Sequence, residues 1–159
     1  MATSKSTRKR SGRSQIEKGA RLVAIVFLLV GVAGFIPGIT TRFMDMEMAG
    51  NGSDAQLLGL FRVSVLHNVV HLAFGVVGIV ISRGPLRARN FLLYGGFVYA
   101  ALFFYGIVID YQSAANFVPF DDADNVLHFV LAAGMIALSV FLDRGPGWRK
   151  VVEEGRAEI

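Results

Sequence analysis

Four apolar stretches, at about residues 22–39, 63–82, 90–109 and 125–142, leave this chain few ways to fold. Each is close to the roughly 20 residues that carry a helix across a hydrocarbon layer. A bilayer offers no water to satisfy open backbone amides, so such stretches are expected to be helical. Hydrophobic residues make up 53% of the 159 and charged residues only 18%, too apolar a balance for an ordinary soluble domain of this size. The expected fold is all-α, a four-helix transmembrane bundle in a multi-pass protein of the cell membrane.

Charge sets the expected orientation. Of the sixteen Lys and Arg residues, seven fall in residues 1–21, three in 83–89 and four after position 142, leaving only Arg42 and Arg62 for the other two loops. Those two loops instead hold seven of the twelve acids: Asp45, Glu47, Asp54, Asp110, Asp121, Asp122 and Asp124. The positive-inside bias then puts both termini in the cytoplasm. On this reading residues 1–18 form a disordered basic arm, 19–142 the membrane domain and 143–159 a cytoplasmic tail in which Trp148 anchors at the interface. The net charge of +4 is explained by topology, and no nucleic-acid partner is expected. With no cysteine, disulfides and thiolate metal sites are excluded.

The second stretch carries two of the three histidines, in Leu66-His67-Asn68-Val69-Val70-His71. At 100° per residue Ser64, His67, Asn68, His71, Gly75, Gly78 and Ser82 share one arc of a helix whose other positions are apolar. That stripe should face other helices. In the fourth stretch Asp121, Asp124, Asn125, His128, Ala132, Met135 and Ser139 share a face in the same way. Leu66-His67 and Leu127-His128 suggest a loose internal repeat that places His67 and His128 at similar depth, with His71 roughly 6 Å deeper.

The connections give further expectations. Pro37 marks the outer exit of the first helix or a kink just before it. Ser53 with Gln56 fits a capping box, predicting a helix that starts there and runs on into the second span. Met44, Met46 and Met48 form either a flexible apolar patch or a soft-ligand set for Cu(I). The basic turn at 83–89 should make the second and third spans antiparallel neighbours. The acids at 121–124 either cap the fourth helix or form a cation site at the outer mouth.

The motifs Leu66-His67-Asn68-Val69-Val70-His71-Leu72 and Asp124-Asn125-Val126-Leu127-His128 resemble those of an uncharacterised family of small bacterial four-helix membrane proteins, known as a domain of unknown function. The resemblance covers about residues 20–142. It implies membrane location and fold, and supplies no activity.

Three functional classes fit these residues. In the first, Ser64, His67, Asn68, His71 and His128 form an interhelical polar cluster in a structural or partner-binding membrane subunit, associated with the lipid bilayer and with a membrane-protein partner or further copies of itself. In the second, His67, His71 and His128 are metal ligands, or hold haem b in a redox protein. In the third, the histidines serve a small oligomeric ion or proton transporter. No catalytic residue is assigned, because Ser64 and His67 lack a third member, and the chain is not expected to be an enzyme. No cofactor is required by the first class.

Overall fold

The computed structural model describes residues 13–142 together with Arg144 and Gly145. The tail and its Trp148, and most of the basic arm, lie outside the described residues. Four helices make up the body: α1 (Gln15–Ala33), α2 (Val65–Ile81), α3 (Pro85–Val108) and α4 (Asp122–Phe141). Three short strands, β1 (Thr40–Thr41), β2 (Gln56–Leu57) and β3 (Phe61–Arg62), lie between α1 and α2.

Helix α1 begins inside the stretch expected to be disordered, because Ser14 and Glu17 cap it. The Ser14 backbone N–H and hydroxyl both donate to the Glu17 carboxylate at 2.9 Å. It also ends before Pro37, with Gly34 as its C-cap. Pro37 is therefore neither kink nor exit and sits in the turn that follows. Helix α3 begins earlier than expected, since Pro85 occupies its first turn, where a missing N–H costs nothing.

Two of the helices, α3 and α4, are long and apolar enough to cross a membrane; α2 is a shorter apolar helix. Its 17 residues span about 25 Å. In α1, Glu17, Lys18 and Arg21 occupy the first two turns.

The helix expected from Ser53 onward is instead a small antiparallel sheet in the order β1-β2-β3, pairing Thr40 with Leu57 and Gln56 with Arg62. Leu58 and Gly59 both take positive φ, 55° and 69°, and the Leu60 N–H bonds the Leu57 carbonyl at 3.1 Å. That is a hairpin turn of the primed kind. The Ser53 hydroxyl, rather than capping a helix, donates to the Val63 carbonyl at 2.6 Å, and Ala55, Leu57 and Val63 pack against Val30, Ala33 and Met46. Met46 thus faces inward while Met44 and Met48 are 92% and 71% exposed, so the three sulfurs do not converge.

Arg62 and Arg42 close over Asp54, at 2.7 and 3.9 Å. The hydrogen bond from Arg62, aided by the charge of Arg42, holds the Asp54 carboxyl below its ordinary value near 3.8. A depressed carboxylate stabilises the folded loop above the unfolded-state value, and the contribution is lost as pH falls through the lower folded value. Protection of the β2 and β3 amides, measured relative to their intrinsic exchange rates at each pH, is therefore expected to fall on acidification below about pH 4. Asp54→Asn should give the lower protection already at neutral pH; if its protection matches wild type, the ion pair does not hold the loop.

The helices pair as two hairpins. Helix α1 packs along α2 and α3 along α4, while α2 and α3, consecutive in the chain, barely meet. The expectation that the 83–89 turn makes them close neighbours is corrected on this point: small residues decide the pairing. Gly31 lies against the Asn68 carbonyl and Leu72 amide, Gly75 against the Ala24 carbonyl and Gly96 against the Ala132 carbonyl, distances at which a Cβ would meet backbone at 2.8–3.2 Å.

Candidate functional site

The two hairpins are copies of one pattern at constant register. Ser64 and Asp121 are the N-caps of α2 and α4, accepting from the backbone N–H groups of His67 and Asp124 at 3.1 and 2.9 Å. Counting from those caps, Asn68 falls on Asn125, His71 on His128, Gly75 on Ala132, Ile79 on Ile136 and Ser82 on Ser139. The two serines make the same bond, to the Ile79 and Ile136 carbonyls at 3.2 and 2.7 Å. This corrects the repeat read from the Leu-His pairs. The equivalent of His128 is His71, and His67 instead matches Asp124.

The outgoing helices repeat as well. A Cβ on Gly34 would overlap the Asn68 side-chain amide, and a Cβ on Gly106 would overlap that of Asn125. Each Oδ1 thus sits where the glycine's Cα–H points. Neither oxygen has a hydrogen-bond partner among the described residues, and a Cα–H···O contact accounts for both. Phe27 precedes Gly34 by the same interval that separates Tyr99 from Gly106.

Phe27 and Tyr99 are the centre of the molecule. Their rings stack at 5.4 Å, so equivalent residues of the two hairpins meet each other. Phe27 touches His71 with ring centroids 5.5 Å apart, and Tyr99 touches His128 at the same 5.5 Å. His67 stacks on His71 at 4.4 Å and 8°, and Phe120 meets His128 edge-on at 4.9 Å. Six rings therefore run in a continuous line from His67 through His71, Phe27, Tyr99 and His128 to Phe120.

All the residues of the expected polar cluster are buried: Ser64 and Asn68 fully, with His67, His71 and His128 retaining 4–7% exposure. The two ends of α2 and α4 are joined by rings, however, rather than by hydrogen bonds between polar groups. His71 Nδ1 lies 3.0 Å from the His67 carbonyl, which only accepts, so that nitrogen carries the proton. Nδ1 of His67 and of His128 has no partner among the described residues. Among those residues no three His, Asp or Glu side chains are grouped so as to hold a metal ion. A haem strung between His71 and His128 would have to displace the two rings that connect them.

Asp124 is 1% exposed, and its carboxylate accepts from the Arg62 N–H at 3.1 Å, tying the first hairpin's loop to the second hairpin's returning helix. The two loops also meet directly, Gly50 N–H to the Phe117 carbonyl at 2.7 Å and Asn51 Nδ2 to the Gln112 carbonyl at 2.6 Å.

The family model described as a domain of unknown function (DUF4383) matches residues 18–141. The chain belongs to this family. No curated protein and no solved structure matches it. The DUF4383 match begins in the first turn of α1, contains every residue of the ring line and ends at the last residue of α4. Phe27, Tyr99, Phe120 and Asn125 were missed as members of the cluster from sequence. The Asn-Val-x-His pattern shared by Asn68–His71 and Asn125–His128 finds Asn125, and no local signal marks the three aromatic residues.

Proposed function

We propose that the chain is a multi-pass membrane protein in which all four helices span the bilayer with both ends cytoplasmic, and that it serves as a structural or partner-binding subunit rather than an enzyme. What carries this reading is that large apolar side chains of all four helices face outward while the polar side chains and glycines of the helices are turned inward among buried rings. Leu22, Leu29, Val76, Phe104, Phe129 and Phe141, from all four helices, are 53–84% exposed, while Gly31, Asn68, His71, Gly75 and His128 are buried. Water would oppose that arrangement, whereas a hydrocarbon solvent favours it. The close approach of Gly31, Gly75 and Gly96 to the backbone of the paired helix gives each hairpin a fixed register, as expected of a scaffold.

Because the chain has no cysteine, single cysteines report topology directly. Asn51→Cys and Ser113→Cys are expected to react with a membrane-impermeant maleimide in intact cells, and Arg87→Cys only after the membrane is opened. Labelling of all three from outside would overturn the orientation, and release of the protein by alkaline wash would overturn the membrane reading itself.

The buried Nδ1 atoms of His67 and His128, which have no hydrogen-bond partner among the described residues, favour a second reading, in which the line of rings takes up a proton or a metal ion. Metal retained stoichiometrically by the purified protein, and lost on His128→Ala, would select it over the first.

A further inference from the structure

Between α2 and α3 runs an open groove of about 460 Å³. Its counterpart in the repeat lies between α4 and α1, and the two gaps differ in their side chains. Phe91 and Phe74 meet at 5.2 Å in the groove's floor and hold α2 off α3, with the Phe91 ring lying over Gly78. In the other gap the position of Phe91 is taken by Gly19, against which Leu142 packs so closely that a Cβ would lie 2.5 Å from it. The groove thus carries one large ring where the repeat has glycine.

We propose that this groove is a binding site for an anionic phospholipid, which lays one acyl chain against Phe74, Val77 and Val98 and sets its phosphate at Arg87. The proposal rests on the membrane reading above. Three observations select this occupant. The walls are almost wholly apolar, with Val77, Tyr94 and Val98 each about half exposed or more. The one charged and the one amide side chain of the lining, Arg87 and Asn90, lie together at one end, beside the α2–α3 turn. From Arg87 to Val98 the helix rises about 16 Å, the depth of one leaflet of a hydrocarbon core about 30 Å thick.

Charge points the same way. The α2–α3 turn and the start of α3 carry Arg83, Arg87 and Arg89 with no acidic residue between them, and no ion pair engages any of the three among the described residues. Basic groups at the mouth of an apolar gap between helices suit a phosphate on a two-chain lipid, which a soluble phosphate or a peptide would match only at one end.

The test is native mass spectrometry of the full chain, purified in detergent and incubated with equal amounts of phosphatidylglycerol and phosphatidylcholine. Phosphatidylglycerol should be retained over phosphatidylcholine by roughly fivefold, the preference expected of one basic residue near the headgroup. Arg87→Gln should abolish the preference while Arg42→Gln, at the opposite end of the molecule, leaves it intact. Val98→Trp should lower retention of both lipids by filling the groove. Equal retention of the two lipids by wild type, an undiminished preference in Arg87→Gln, or a dimer that Val98→Trp converts to monomer would each overturn the proposal. The last would assign the groove to a second copy of the chain. Alkaline washing of the same membranes keeps the two failures apart: a chain that stays embedded yet shows no preference refutes the lipid site alone.

Discussion

Replacing Phe27 by alanine is expected to cost about 3–5 kcal/mol of stability, the largest loss from any single truncation in the molecule. The side chain is 2% exposed and its ring touches His71, Phe74 and Tyr99, at 5.5, 4.9 and 5.4 Å. In a bilayer the unfolded reference is itself apolar, so the loss comes less from transfer to water than from the dispersion contacts forfeited around a cavity that helices of fixed register cannot close. The measurement is reversible unfolding in mixed micelles, followed by far-ultraviolet circular dichroism. Tyr99→Phe is the companion variant: it keeps the ring and removes a hydroxyl, and should change stability by about 1 kcal/mol or less. A loss below about 1 kcal/mol in Phe27→Ala would show that the hairpins are locked to one another elsewhere.

Gly75→Ala is expected to destabilise by about 1–3 kcal/mol through overpacking. The added methyl would come within 2.8 Å of the Ala24 carbonyl and 2.6 Å of Leu28, and a backbone carbonyl cannot rotate away, so α1 and α2 must separate. Gly31→Ala meets two backbone atoms of α2 at 2.9 Å and should behave alike. Gly134→Ala has nothing within 4 Å, and there the gain in helix propensity, up to about 1 kcal/mol, should appear as a rise in stability. Opposite signs for Gly75 and Gly134 in one unfolding assay identify close approach as the cause; a loss at Gly134 equal to that at Gly75 would point to a general intolerance of side chains in these helices.

The helices were legible in the sequence because apolar runs near 20 residues long have few alternatives, and the acids before α4 announced its start: Asp121 is the N-cap. The start of α1 was hidden because a basic tail masks a Ser14–Glu17 cap. The sheet was hidden for a different reason. Ser53 and Gln56 have the spacing of a capping box, but Leu58-Gly59 turns the chain back, and a leucine at φ 55° is not a residue that advertises such a turn. Of the site, the polar stripe of α2 was legible from periodicity alone. Its partners were not, since Phe27 and Tyr99 are single aromatic residues in aromatic-rich helices, and nothing local marks them as the place where two hairpins meet. The repeat was visible but misaligned by one identical Leu-His pair; registering the caps, Ser64 on Asp121, corrects it.

The bond from the Arg62 N–H to the Asp124 carboxylate gives the sheet a mechanical standing beyond its size. It ties the end of a strand of one hairpin to the first turn of the other, so lifting β3 away from the bundle strips a partner from a carboxyl group that has almost no access to solvent. A pull on the loop is therefore felt at the start of α4, one turn from His128, and sliding one hairpin past the other breaks this bond.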